Sequence, residues 1–155
     1  MGIKEFLLHG LGQLTAERPG QQKSFAEWRA VLVSTGAEIE QRAANAKNSA
    51  ASAAALRHIT GIERWGQNRL RVFLGAPYVR DEYDSYQPGA ALDLPGQVAA
   101  FAETRAETVV LCEQLEHAGL APDAAVEHND FGPLSARGWL AYLSGHAGRE
   151  RMRIR

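Results

Sequence analysis

Two residues near the end of the chain have the types and the spacing of metal ligands. His146 and Glu150 stand four residues apart in the segment GHAGRERMRIR, so on an α-helix both side chains lie on one face. A third residue, His58, shares the apolar stripe of a separate segment with Ile62 and Trp65. Imidazole nitrogen and carboxylate oxygen suit divalent ions such as Zn²⁺, Ni²⁺ and Fe²⁺. The three residues together predict a site for one divalent metal inside a helical protein.

A site of this kind leaves coordination positions free for chemistry. Three protein ligands are the usual number in catalytic zinc sites, where water or substrate takes the open position. Two histidines and one carboxylate are also the ligand set of non-haem iron sites, so the count alone does not specify the metal. A metal held in this way lowers the pKa of a bound water or thiol and generates a nucleophile near neutral pH.

The same residues also fit a purely structural interpretation. A histidine on an apolar helix face is commonly a hydrogen-bonded core residue, and Glu150 lies among the last six residues, where helices fray. Gly145 and Gly148 flank His146, and each costs about 1 kcal/mol of helix propensity relative to alanine. On this interpretation the arginine-rich tail is a polar helix end that runs out into water.

Four long helices are predicted to position these residues. The first begins after Ser24, a predicted N-cap, and the second extends from about Ser49 to Leu74. The third begins after Asp93, with Pro95 in its first turn. The fourth begins near the segment GPLSARGW and continues to the end of the chain.

The remaining segments complete a prediction of the fold class. An additional short helix is predicted within residues 1–20, and the segment YVRDEYDSYQPGAALDLPG forms a long connection between the second and third long helices. No stretch alternates apolar and polar residues for long enough to predict a strand. The sequence therefore predicts an all-α bundle of four long helices, in one domain that spans residues 1–155.

The composition of the chain limits which binding partners and which cellular compartment we expect. The 155 residues are 45% apolar and 23% charged, as is usual for a globular protein. The formal net charge is −1, so the protein as a whole does not attract nucleic acid or an anionic membrane electrostatically. His9 and Gly10 interrupt the apolar N-terminal run, which is too short for a signal peptide or a spanning helix. The single cysteine, Cys112, excludes an intramolecular disulfide and is predicted to be a small buried side chain. We expect a soluble cytoplasmic protein that binds neither nucleic acid nor membrane.

Two segments resemble the DinB-like family of four-helix bundles, which includes the YfiT-like proteins. The segment ALRHITGIERWGQNRL is similar to the family's second-helix pattern, a histidine followed five residues later by a glutamate, here His58 and Glu63. The segment GWLAYLSGHAGRERMRIR looks like the family's last helix, which has a His-x-x-x-His pair on its inner face. The chain length and the long connection also match, and the resemblance covers roughly residues 22–155.

The resemblance implies a divalent metal held by three histidines, one from the second helix and two from the fourth. His58 and His146 match two of these positions, and Glu150 occupies the third. Because carboxylate is a competent ligand, this departure either preserves the site or marks a member whose metal site has been lost.

Family members with known activity use the metal to activate a low-molecular-weight thiol such as bacillithiol or mycothiol. The resemblance therefore implies a transferase that acts on a small electrophile, and we expect Tyr142, Arg149 and Arg153 to bind the substrate, the arginines through a carboxylate on the thiol. Tyr86 is a second candidate hydrogen-bond donor, whereas His128 is expected to be an exposed loop residue. An apolar face on the first long helix and the resemblance both favour a homodimer. The alternative is a non-catalytic dimeric bundle, a binding or stress-response protein with a degenerate metal site.

Overall fold

The structure, a computed structural model, describes residues 2–155, and most of them are helical. None of the helices in this described range is both long and apolar enough to cross a membrane. In chain order the elements are α1 (Ile3–Gly12), a π-helical turn (Gln13–Glu17), α2 (Arg18–Gln21), α3 (Phe25–Ala44), α4 (Ser49–Val72), a 3-10 turn (Tyr83–Tyr86), α5 (Leu94–His117), β1 (Val126–His128), β2 (Gly132–Leu134), α6 (Ala136–Glu150) and a final 3-10 turn (Arg151–Arg153).

Each of the four long helices begins after a residue whose side chain caps it. Ser24, Asn48, Asp93 and Ser135 each accept a hydrogen bond from the backbone N–H three residues later, which satisfies one of the unpaired donors of the first turn. At α3 the cap is reciprocal, because Glu27 also accepts from the backbone N–H of Ser24. The predicted N-caps Ser24 and Asp93 are confirmed.

The four long helices pack in a ring around an apolar core. Helices α3 and α4 each contact both α5 and α6, so α3 lies diagonally opposite α4. Trp139 of α6 is fully buried, as are Phe101 of α5 and Leu70 of α4. The rings of Trp65 and Trp139 meet edge to face at 5.3 Å, which joins α4 to α6. The predicted all-α class with four long helices is confirmed.

A buried ion pair connects three of these helices. The Arg105 guanidinium donates two hydrogen bonds to the Glu63 carboxylate, at 2.7 and 2.8 Å. It also donates to the carbonyl oxygen of Leu32 at 3.0 Å, and Thr108 donates to the same carboxylate at 2.8 Å. The side chains of Arg105 and Glu63 are 4% and 2% exposed, so each charge depends on the other for compensation. Glu63 thus links α4 to α5.

A short hairpin precedes α6, and the prediction that the chain has no strand was wrong there. Strands β1 and β2 pair antiparallel, with Val126 opposite Leu134 and His128 opposite Gly132. Gly132 has a φ of +75°, the left-handed conformation that closes a three-residue hairpin loop. Each strand has only three residues, so the alternation of buried and exposed side chains was too short to recognise.

The end of the chain is docked on the bundle, and the interpretation of the tail as a helix end in water was also wrong. Ile154 is 1% exposed and belongs to the core. Its carbonyl oxygen accepts a hydrogen bond from Arg42 of α3 at 2.9 Å. The carbonyl oxygen of Arg155 accepts from the backbone N–H of Asn48 at 2.7 Å and from Ser52 at 3.1 Å. The tail therefore fastens α6 to the start of α4.

Replacing Glu63 with glutamine should strongly destabilise the protein, because Arg105 would keep a buried charge without its counter-charge. We expect Glu63→Gln to lower the free energy of unfolding by about 3–5 kcal/mol. The matched control is Glu107→Gln, which removes the carboxylate of a solvent-exposed pair with Arg71 and should cost less than about 1 kcal/mol. Urea unfolding followed by circular dichroism measures both. Similar small losses in the two variants would contradict a structural role for the buried pair.

Candidate metal centre

Helices α4 and α6 bring the three predicted ligands together. The Nε2 atoms of His58 and His146 lie 3.1 Å apart. One potential ligand atom from each of His58, His146 and Glu150 lies within 4.8 Å of the other two. With Zn–N bonds of ~2.0–2.1 Å, two nitrogens of a tetrahedral zinc site are roughly 3.3 Å apart. The observed separation therefore fits an N–H···N hydrogen bond between the two rings and is also close to the separation that a shared metal ion requires.

Close packing of α4 against α6 sets this separation. A Cβ atom on Gly66 would lie 2.5 Å from Leu143 Cδ2, so the missing side chain at position 66 makes room for Leu143. The two helices run antiparallel, since His146 follows Leu143 on α6 while the opposing His58 precedes Gly66 on α4. Both imidazoles thus project from facing sides of two helices in direct contact.

Helix α6 is anchored at both ends. At its start, the Glu17 carboxylate accepts hydrogen bonds from the backbone N–H and the hydroxyl of Ser135, at 2.9 and 3.0 Å. Glu17 lies on the π-helical turn that follows α1. At the other end, the docked residues Ile154 and Arg155 hold the chain against α3 and α4. Glu150 therefore lies on a helix whose C-terminal end is held by hydrogen bonds to α3 and α4, not on a fraying helix end.

The protonation states suit metal binding. Burial, together with the neighbouring charge of His58, lowers the pKa of His146 to about 4, so its imidazole is neutral at pH 7. Burial acts to raise the pKa of Glu150, but the hydrogen bond from Arg153 and the two histidines outweigh it and hold that pKa below its usual value. Neutral imidazole and ionised carboxylate are the forms that ligate metals. The donor set therefore fits a divalent ion.

The three predicted substrate residues occupy different places around this site. Tyr142 lies beside it, with its ring centroid 6.2 Å from that of His146. Arg149 is exposed on α6, where its guanidinium lies over Gly145. Arg153 donates a hydrogen bond to Glu150 at 3.0 Å and so contacts a candidate metal ligand directly. Its first role in this arrangement is to orient the carboxylate.

A different tyrosine from the long connection borders the site. The ring of Tyr83 meets the His58 ring edge to face at 5.1 Å. Tyr86 points elsewhere, since its hydroxyl donates to the Asp81 carboxylate and accepts from Asn68. The sequence has no signal that distinguishes the two tyrosines, because only the packing of the 3-10 turn on α4 decides which ring meets the histidine.

His128 is buried, and the expectation that it is an exposed loop residue was wrong. It is 5% exposed, and Tyr142 separates it from the metal centre, with the His128 and Tyr142 rings 4.5 Å apart. Its Nδ1 accepts hydrogen bonds from the backbone N–H groups of Asp130 and Phe131, at 3.1 and 3.2 Å. Burial lowers the pKa of His128 to about 4, so this residue is a neutral part of the aromatic wall behind the site.

Cys112 takes no part in this chemistry. It is fully buried, and its thiol donates to the carbonyl oxygen of Phe25 at 3.2 Å. Burial raises the pKa of the thiol to about 11, which keeps it protonated and unreactive at neutral pH. The prediction that Cys112 is a small buried side chain is confirmed.

Comparison with known proteins supplies no family for this chain. No family model, curated protein or solved structure matches it. The interpretation of the metal centre therefore depends on its own geometry and chemistry.

His128 should make the protein lose stability as the pH falls. An imidazole in the unfolded chain takes up a proton below about pH 6.5, whereas folded His128 remains neutral until about pH 4. Between these values the unfolded state binds the extra proton, so the free energy of unfolding should fall, by up to about 3 kcal/mol for this residue.

The variant His128→Asn isolates this contribution, because its amide oxygen can accept the same two backbone hydrogen bonds. Urea unfolding between pH 7.5 and pH 4 should show a weaker pH dependence for the variant than for the wild type, since all other titrating groups are shared. Identical pH dependence in the two proteins would show that His128 is not held neutral by burial.

Proposed function

We propose that the protein is a divalent-metal-dependent enzyme of the DinB-like type that transfers a small thiol to an electrophilic substrate. The convergence of His58, His146 and Glu150 from two packed helices is the observation that supports metal binding most directly. The resemblance of the second and last long helices to those of DinB-like proteins supports the thiol as co-substrate. Zn²⁺, Ni²⁺ and Fe²⁺ are all compatible with two imidazoles and a carboxylate.

In this proposal the three ligands hold the metal and the surrounding residues prepare the site. A bound divalent metal would act as a Lewis acid that lowers the pKa of a coordinated thiol or water. Arg153 bonds Oε2 of Glu150, so the second carboxylate oxygen remains available as the ligand atom. The rings of Tyr83 and Tyr142 flank the two histidines and form aromatic walls of the site.

Two side chains are suited to bind the substrate. Burial raises the pKa of Tyr142 to about 12, so its hydroxyl stays protonated and can donate a hydrogen bond to an anionic or carbonyl group. Arg149 is exposed one residue before Glu150 and forms no ion pair with any residue of the described chain, 2–155. Its free guanidinium can bind a carboxylate carried by the thiol.

Metal content tests the centre itself. Untagged wild type, incubated with zinc, nickel, manganese or anaerobic iron and then passed through a desalting column, should retain about one metal per chain by inductively coupled plasma mass spectrometry. His58→Ala and His146→Ala should lose it, because two ligands cannot complete the site, and Glu150→Gln should bind at least about 10-fold more weakly. His117→Ala and Glu113→Gln are matched controls on exposed positions of α5 and should bind as the wild type does. Wild type that retains none of these metals would refute the proposal.

A thiol-transfer assay tests the activity separately. Metal-loaded wild type should accelerate the reaction of a cysteine-derived thiol with a small aryl or epoxide electrophile, relative to His146→Ala. Tyr142→Phe should retain the metal but lower kcat by about 10-fold through loss of its hydrogen bond. Arg149→Gln should raise KM for a carboxylate-bearing thiol and leave KM for an uncharged thiol unchanged. If stoichiometric metal gives no rate above that of His146→Ala, the transferase is excluded and the non-catalytic alternative is favoured.

A further inference from the structure

Helix α1 and the start of the π-helical turn that follows it have an apolar stripe that faces solvent. Its side chains recur at spacings that place them on one side of a helix. Their exposed fractions range from nearly half to most of each residue: Ile3 82%, Phe6 65%, Leu7 64%, Leu11 46% and Leu14 58%. Isolated exposed apolar residues are ordinary, but five on one helix face form a contiguous patch.

The opposite side of α1 holds the helix to the hairpin. The His9 ring packs on Gly132, where an added Cβ would lie 2.9 Å from its Nε2. Gly12 is buried against Phe131, where an added Cβ would lie 2.5 Å from the Phe131 Cβ. Beyond α1, Glu17 bonds the start of α6. These contacts fix α1 with its apolar stripe directed away from the bundle.

The patch has the size of half a small dimer interface. The five side chains leave roughly 500 Å² of apolar surface in solvent, which is near the upper limit for the largest patch on a typical monomer. Two copies placed face to face would bury roughly 1,000 Å² from these side chains alone, which is about the minimum for a specific interface.

We propose that this stripe is the interface of a homodimer, in which α1 crosses α1 of a second copy at a two-fold axis near Gly10. Gly10 lies at the middle of the stripe, between Phe6 and Leu14. A Cβ at Gly10 would have no neighbour within 4 Å, so the gap in the stripe faces open space. Glycine at this position lowers helix propensity, but it allows the backbone of a partner helix to approach closely. A two-fold axis makes one patch complementary to itself, so no second surface is needed.

The charges around the stripe favour a second copy over a lipid surface. Helices that lie in a membrane interface have a polar side rich in lysine and arginine. The polar residues of α1 are mixed, with Lys4, Glu5 and His9, and the whole chain has a formal net charge of −1. This pattern provides no electrostatic attraction to anionic lipid. The inference is independent of the metal centre and does not rest on the proposed enzymatic function.

Sedimentation equilibrium of the full chain, from about 1 to 100 µM, tests the dimer. Wild type should be dimeric, and Leu7→Glu should raise the dissociation constant by at least about 30-fold, because it places a charge in the centre of an apolar interface. Val33→Glu is the matched control: Val33 is 57% exposed on α3, outside the stripe, and its replacement should leave the dimer intact. Circular dichroism checks that both variants are folded.

A second variant distinguishes a specific helix crossing from non-specific hydrophobic association. Gly10→Leu adds apolar surface in open space and improves helix propensity, so it should not harm the fold of the protomer. If the helices cross closely at Gly10, the added leucine side chain should push them apart and raise the dissociation constant of the dimer by about 10-fold or more. Stronger association in Gly10→Leu would overturn the close crossing.

Three further results would overturn the proposal. They are a monomeric wild type at about 100 µM, a dimer that Val33→Glu disrupts and Leu7→Glu does not, and a monomer that binds phosphatidylcholine–phosphatidylglycerol vesicles through Leu7. Metal-free His146→Ala should dimerise as the wild type does, so failure of the metal centre and failure of the dimer are distinguishable.

Discussion

The contact between α4 and α6 is the constraint on which the candidate site depends. Leu143 fills the space that a side chain at position 66 would occupy, so the two helices approach closely and antiparallel. This approach brings the Nε2 atoms of His58 and His146 to 3.1 Å. Any larger residue at position 66 would have to displace Leu143 or push α6 outward. Because the candidate ligands stand on regular helices, their separation follows from backbone packing, which is more rigid than a loop.

The rest of the fold keeps this helix pair in place. Glu17, on a π-helical turn of the N-terminal segment, bonds the first residues of α6, and Ile154 with the final carbonyl group docks at the start of α4. The Glu63–Arg105 pair joins α4 to α5 and, through the Leu32 carbonyl oxygen, to α3. π-Helical turns are often found at functional sites. Here the turn acts indirectly. It places the Glu17 carboxylate at the N-terminus of α6, the positive end of the helix that bears His146 and Glu150.

Local patterns in the sequence were sufficient to predict the helices and the ligand face, but not the contacts between distant segments. Ser24 and Asp93 could be recognised as caps because capping involves only the next three residues. His146 and Glu150 could be placed on one face because residues four apart on an α-helix always lie on the same side. The burial of His128 could not be predicted, since it depends on a hairpin with three-residue strands packed on Trp65 and Trp139. The docking of Ile154 and the position of Tyr83 likewise depend on residues far away in the chain.

Arg153 offers a physical reason why glutamate can stand at the third ligand position of the proposed site. Three neutral histidines, the set that the resemblance implies, would leave a bound divalent ion with its full double charge. A glutamate ligand at position 150 would reduce that charge by one, which would weaken the ion as a Lewis acid. The guanidinium of Arg153, 3.0 Å from the Glu150 carboxylate and 66% exposed to solvent, offsets part of that negative charge. Arg153 lies on the 3-10 turn just before the docked residue Ile154. The docking of the tail and the electrostatics of the proposed metal centre are therefore parts of one arrangement.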